Sequence, residues 1–217
     1  MVTRLARRAT LRLRGPPDDH LAMSTSASTT WAVTAGSLAY ATLRYNILKG
    51  VPWTDWPVFV LNKALALSSL LLLVLWTVRA RRGRGAPQAV LLAAASRMAL
   101  AHVGLSLVVL TPVYFPAFFL DGRLTWQAGT AVALGVAAAS GLAVGARHAG
   151  AHGYRLLALG LVAFGAGAHA ALYGYSSWLT PSAWPGYLPP ITLIAFAAGI
   201  FGMLAAVGGP SGPPVSR

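Results

Sequence analysis

Apolar residues fill six stretches of the chain, roughly 31–49, 57–78, 88–111, 126–146, 154–178 and 188–207, and polar or Pro/Gly-rich joints separate them. Each stretch is near the ~20 residues that carry a helix across a bilayer. The pattern therefore predicts an all-α fold: a polytopic membrane bundle of six transmembrane helices forming one domain over residues 31–207. The first stretch is the least apolar, since it contains Thr34, Ser37, Thr42 and Arg44, and it is expected to insert with help from its neighbours. Ahead of it, residues 1–30 run from an Arg-rich segment through Pro16, Pro17, Asp18 and Asp19 to a Ser/Thr run at 24–30. No apolar core long enough for a signal peptide occurs there, so this segment reads as a disordered basic tail. Met23 is an alternative start, and residues 208–217 read as a second disordered tail.

Composition agrees with this picture and removes whole classes of function. With 56% hydrophobic and 10% charged residues among 217, and a mean hydropathy of +0.63, the chain has too little polar surface to cover a soluble globule. Six helices use up the length, which leaves no room for a soluble nucleotide-binding or catalytic domain. There is no cysteine, and hence no disulfide, thiol nucleophile or iron–sulfur cluster. The acids are Asp18, Asp19, Asp55 and Asp121, with no glutamate, which argues against paired-carboxylate hydrolysis and glutamate proton relays. No constellation of acid, base and nucleophile is visible, so no residue is assigned a catalytic role.

A net charge of +13 suggests nucleic acid only until the arginines are placed. They collect in joints between apolar segments, not on a basic face with interleaved aromatics, and no nucleic-acid partner is expected. Arg4, Arg7, Arg8, Arg12 and Arg14 lie in the tail, Arg79, Arg81, Arg82 and Arg84 in the second joint, and Arg147 and Arg155 in the fourth. The alternate joints hold Lys49 with Asp55, Asp121 with Arg123, and no charge between Ser176 and Pro190. Six spans put every basic joint on one side, with both termini cytoplasmic. Trp53, Trp56, Tyr114, Trp126, Trp178, Trp184 and Tyr187 then gather as an aromatic belt on the other side. Fifteen arginines against two lysines in an Ala/Gly-rich chain suit a GC-rich bacterial genome, and the expected location is the inner (plasma) membrane, with the bilayer as surroundings.

Of five histidines, His20, His148 and His152 lie in the tail or a cytoplasmic joint and read as solvated loop residues, because no acid or cysteine completes a metal site there. His102 and His169 lie inside the third and fifth spans, where an ionisable group is costly and marks a functional site by default. His102 follows the start of its span at Gln88 by 14 residues and His169 follows Tyr154 by 15. At 1.5 Å per residue the two sit at nearly one height on parallel helices. Axial ligation of a flat macrocycle, one imidazole to each face of a haem iron, requires such an arrangement. Two unrelated histidines, each hydrogen-bonded to a neighbouring helix, also satisfy it.

Small residues flank both positions: Ala99, Ala101 and Gly104 on one helix, and Gly165, Gly167, Ala168, Ala170, Ala171 and Gly174 on the other. They admit a broad ring or, equally, close helix packing, for which Gly141 and Gly145 in the fourth span are the plainer case. The Gly165-Ala-Gly-Ala-His run resembles a dinucleotide fingerprint but has no preceding strand. Three cations lie within spans. Arg44 and Lys63 sit five or six residues from the outer ends, about a turn above the histidine level, where propionates would neutralise them or where both would snorkel to the interface. Arg97 lies five residues inward of His102 and reads as facing the bundle interior, capping carbonyls or touching the opposite edge of a cofactor.

The stretches Arg97 to Phe119, RMALAHVGLSLVVLTPVYFPAFF, and Tyr154 to Pro190, with AHAALYGYSSWLTPSAWPGYLPP after the histidine helix, resemble the ferric reductase-like transmembrane domain. This is the haem b module of ferric reductases, NADPH oxidases and the bacterial haem subunit of the methionine sulfoxide reductase system, and the resemblance spans residues 31–207. It implies that His102 and His169 hold haem b. Many members stack two haems, with a second histidine 13 or 14 positions away on each helix. Here those positions are Gln88, Pro116, Leu156 and Ser182, none a ligand, which implies one haem nearer the outer face.

The expectation is therefore a membrane electron-transfer component, an oxidoreductase subunit without its own NAD(P)H or flavin domain. It binds one haem b through His102 and His169, with Arg44, Lys63 and Arg97 as further cofactor contacts. A quinone, a flavoprotein or a partner cytochrome is its expected redox partner, and the outer joints Pro112 to Asp121 and Pro181 to Pro190 are places for an acceptor. The alternative is a cofactor-free scaffold, assembly factor or small permease. A zinc or copper site is poorer, since two histidines without a third ligand leave either ion incomplete.

Overall fold

The apolar stretches form helices, and the helices pack around the second of them. A computed structural model describes residues 18–82, 88–147 and 152–208, with the side chains of 18–23, Gln88 and His152 not described. The arginines at 4–14, Arg84, His148 and the side chains of His20 and His152 thus lie outside the described residues. Helix α1 is Asp18–Thr42 and runs into a π-helical turn, Leu43–Leu48. Helix α2, Leu61–Arg81, is opened by a second π-helical turn at Trp56–Val60. Then follow α3 (Gln88–Val108), α4 (Trp126–Arg147), α5 (His152–Gly174) and α6 (Ile191–Val207).

Among the described residues, five segments are long and apolar enough to cross a membrane: Trp53–Arg81, Ala89–Val108, Trp126–Arg147, Gly153–Leu179 and Pro185–Val207. They coincide with the second to sixth expected spans, and α1 is not among them. The molecule is an all-α bundle of the multi-pass membrane type.

At α1 the structure corrects the sequence reading. Residues 18–30, expected as tail, are helical. The helix accommodates the Ser/Thr run because its hydroxyls bond back to their own helix: Ser28 to the Ser24 carbonyl, Thr29 to Thr25, Thr30 to Ser26 and Thr34 to Thr30, at 2.8–2.9 Å. A polar run satisfied in this way costs a helix little.

Helix α2 packs against α1, α3, α5 and α6, while α3, α4, α5 and α6 follow one another around it. Consequently α3 and α5 face each other across a ring closed by α2 and α4. Arg81 donates to the Ala205 carbonyl of α6, and Arg155 of α5 donates to the Gly145 and Ala146 carbonyls of α4 while lying 5.5 Å from the centre of the Trp76 ring. These contacts gather one basic end of the bundle. At the opposite, aromatic end, Tyr40 and Arg44 donate to the Pro189 and Leu188 carbonyls, Gln127 to Leu172, and Trp178 to the Thr192 hydroxyl. The basic half is filled by Leu72, Leu73, Trp76, Leu91, Leu92, Leu142, Leu156 and Leu159.

Helices α5 and α6 cross at glycine. A Cβ on Gly199 would stand 2.6 Å from the Ala163 carbonyl oxygen, and one on Gly167 3.1 Å from that of Ala195. Gly167 is thus a packing residue rather than room for a cofactor, and Gly174, set against Thr192, is another. Gly141 and Gly145 abut Val162 and Leu159 between α4 and α5, the structural role expected of them. The α3–α4 joint contains a two-stranded hairpin that the apolar pattern does not announce, β1 (Phe119–Leu120) and β2 (Arg123–Leu124). Its turn is Asp121-Gly122, both at positive φ (50° and 74°), the pair a type I′ turn prefers.

Candidate functional site

His102 of α3 and His169 of α5 line one cavity of about 360 Å³ in the aromatic half of the ring. That volume is within the range of small-molecule and cofactor sites. The walls are mostly aliphatic and small: Ala66 and Leu70 of α2, Ala99 of α3, Ala131 and Ala139 of α4, and Ala166 and Ala170 of α5. The two histidines, expected at one height on parallel helices, reach this one cavity from facing helices. The small neighbours expected around His102 divide, however, because Ala99 lines the cavity whereas Ala101 and Gly104 are exposed on the outer side of α3.

Each imidazole is fixed through Nδ1. For His169 the partner is the Ala131 carbonyl of α4 at 2.6 Å, an oxygen that can only accept, so Nδ1 carries the proton. For His102 the partners are the Asn62 side-chain oxygen at 2.7 Å and the Asn62 carbonyl at 3.1 Å. Asn62 is buried and is held in turn by donating its amide to Ser106 at 2.9 Å. With Nδ1–H donated, a neutral imidazole carries its lone pair on Nε2. Neither Nε2 has a hydrogen-bond partner among the described residues. Gly135 of α4 makes space for the His169 ring, since a Cβ there would lie 3.2–3.6 Å from its Cε1, Nδ1 and Nε2 atoms.

The hairpin joint covers the aromatic-end mouth. Phe115 and Phe118 line the cavity, Phe118 stacks on Tyr173 with centroids 4.2 Å apart, and the Tyr173 and Thr125 hydroxyls are 3.0 Å apart. Tyr173 is four residues beyond His169 on the same face of α5.

The three cations separate. Lys63 lines the cavity, its ammonium 4.4 Å from the centre of the Phe59 ring and 5.2 Å from that of Tyr45. Arg44 does not line it: only 6% exposed, it is turned by the π-helical segment to donate to the Leu188 carbonyl beside the Tyr45 ring. The interior position expected for Arg97 is overturned, because its side chain is exposed on the outer face of α3. Five residues from His102 is about 140° around a helix, so the two cannot share a face.

Asn62, Ser106, Ala131 and Gly135 escaped the sequence reading. Only Asn62 left a signal there, as an amide beside Lys63 inside an apolar span. Among the described residues, no three His, Asp or Glu side chains gather as a metal site. The donors facing the cavity are two imidazole nitrogens. Compared with known proteins, the chain matches no protein-family model and no curated protein.

Proposed function

We propose that the chain is an integral membrane b-type haem protein that passes single electrons, with His102 and His169 as the axial ligands of one haem. The observation that carries this reading is the pair of anchored imidazoles, each with Nδ1–H donated to a carbonyl oxygen and Nε2 unpartnered, on facing walls of one apolar cavity. An Nδ1–H bond of this kind sets the tautomer and orientation that ligating histidines use. When bound, the haem supplies a one-electron iron couple. The chain's own residues do the rest. Asn62 and Ala131 hold the rings, the alanines and Gly135 leave a slot, and Lys63 offers the cavity's cation to a carboxylate edge. Phe115, Phe118 and Tyr173 keep water from the aromatic end. The filled basic half supports one haem rather than two, because leucines and Trp76 occupy the space a second would need.

The proposal includes six spans, with α1 as the first, both termini cytoplasmic and the basic end inward. The redox partner is proposed as a quinone, a flavoprotein or a cytochrome. The test is an absorption spectrum of detergent-purified protein, oxidised and dithionite-reduced, beside His102→Ala and His169→Ala. The expected result is a b-type signal at about one haem per chain, from two axial histidines, lost in both variants. A colourless wild-type protein made with ample haem overturns the reading and leaves a cofactor-free scaffold or permease.

A further inference from the structure

The face of α3 that turns away from the cavity carries a charge where a membrane helix tolerates one least. Arg97 is the tenth of the 21 residues of α3, about 14 Å along the axis from the first, and therefore close to the midplane of a ~30 Å hydrocarbon layer. It is exposed and makes no hydrogen bond or ion pair with any described residue. Around it lie Leu100, Ala101, Gly104 and Val108, all exposed and all within about 60° of its own direction on the helix. A Cβ on Gly104 would meet nothing within 4 Å, so the surface beside the guanidinium is low and open to another backbone.

A lone arginine at this depth against lipid is costly, and such residues face protein or water and take an acidic partner. The chain cannot supply that partner to itself or to a second copy. Asp18 and Asp19 open α1 at the basic end, Asp55 precedes α2 at the aromatic end, and Asp121 is in the hairpin turn. None lies at the level of Arg97.

We propose that the Arg97 face of α3 docks a transmembrane helix of another protein, one that carries an aspartate or glutamate near mid-membrane. Guanidinium and carboxylate pair in two parallel hydrogen bonds, which sets both the depth and the rotation of the incoming helix. Ala101 and Gly104 let its backbone come near enough to do so. This inference rests on the membrane reading and not on haem, so each survives the failure of the other.

The test places a photo-crosslinking residue at Leu100 of the full chain, in membranes of cells that produce it natively, and sequences the adduct. One discrete adduct is expected, to a transmembrane segment holding an Asp or Glu. Its yield should fall by about tenfold or more in Arg97→Leu, persist in Arg97→Lys, and return in Arg97→Glu when the partner's acid is changed to lysine. Adducts to lipid alone, to a second copy of this chain or to a helix without an acid would overturn the proposal. So would a yield unchanged by Arg97→Leu.

Discussion

A histidine that has given its Nδ1–H to a carbonyl has one nitrogen left to offer, and this chain prepares two such residues by different means. His169 relies on a backbone oxygen that mutation cannot remove, whereas His102 leans on the side chain of Asn62 as well as its carbonyl. The consequence is an asymmetry. Asn62→Leu should weaken haem retention by about 10- to 100-fold while leaving the fold, the usual effect of losing such a supporting bond. Asn62→Asp should instead lower the midpoint potential, because a carboxylate makes the imidazole a stronger donor and favours the ferric state. Redox titration of the two variants beside wild type checks both, and an unchanged potential in Asn62→Asp would mean that His102 is not a ligand. Gly135→Val should also empty the site, since the added methyls enter the space of the His169 ring. Haem content per chain reads it directly. The histidines were legible from their spacing within the spans. Asn62 and Gly135 were not, because their roles depend on which helices meet, and one chain's periodicity does not say that α2 meets α3 or α4 meets α5. Arg97 was misread for a simpler reason: depth was weighed and helical phase was not.

At the level of elements, the apolar pattern drew all six helices and misplaced only the start of the first, at 31 where the helix begins at Asp18. The hydroxyls of α1 turn inward to their own carbonyls, so its polarity by composition overstates its polarity in space. The Asp121-Gly122 turn was present in the sequence as a hairpin signal, but strands of two residues each are too short to show an alternating pattern. The glycines of α5 show the limit of reading small residues as room. Those at 160, 167 and 174, one per two turns, serve the crossing with α6, while Gly153 and Gly165 meet nothing within 4 Å. Gly199→Val should therefore separate α5 from α6 at the cost of about 1–3 kcal/mol, as overpacking does elsewhere. In detergent this appears as a lower melting temperature. The spectrum of the remaining folded protein should keep its wavelengths, because the two imidazoles are anchored on α2 and α4 while α6 lends the cavity only the wall of Ile191, Thr192 and Ala195. A shifted spectrum would instead mean that the α6 wall helps to set the histidine geometry.

For the whole molecule the number of crossings is the proposal to test: five segments have the length and apolarity to span, and charge supports six. The contacts of α1 support the proposed six. Near its middle Thr29 accepts from Arg79 of the basic end, and Tyr40 in its last turn and Arg44 just past it donate to Pro189 and Leu188 at the aromatic end. The stretch from Thr29 to Arg44 thus lies alongside α2 and α3 between the two ends, which supports a crossing by α1. Its neighbours supply the apolar contact that its own sequence lacks, with Val33 and Leu38 packed into the two cores. Six crossings then place the joints near 83–87 and 148–151 and the C-terminal end on one side, and the hairpin and the 181–190 joint on the other. Topology reporters inserted after Gly85, Gly122, Gly150 and Ser182 and fused at the C-terminus should alternate accordingly, the first, third and last cytoplasmic. A tag ahead of Met23 should be cytoplasmic as well. If that tag alone is exported while the others keep their sides, α1 lies on the bundle without crossing, and the mouth at the aromatic end would have to be closed by something other than the π-helical segment and Arg44.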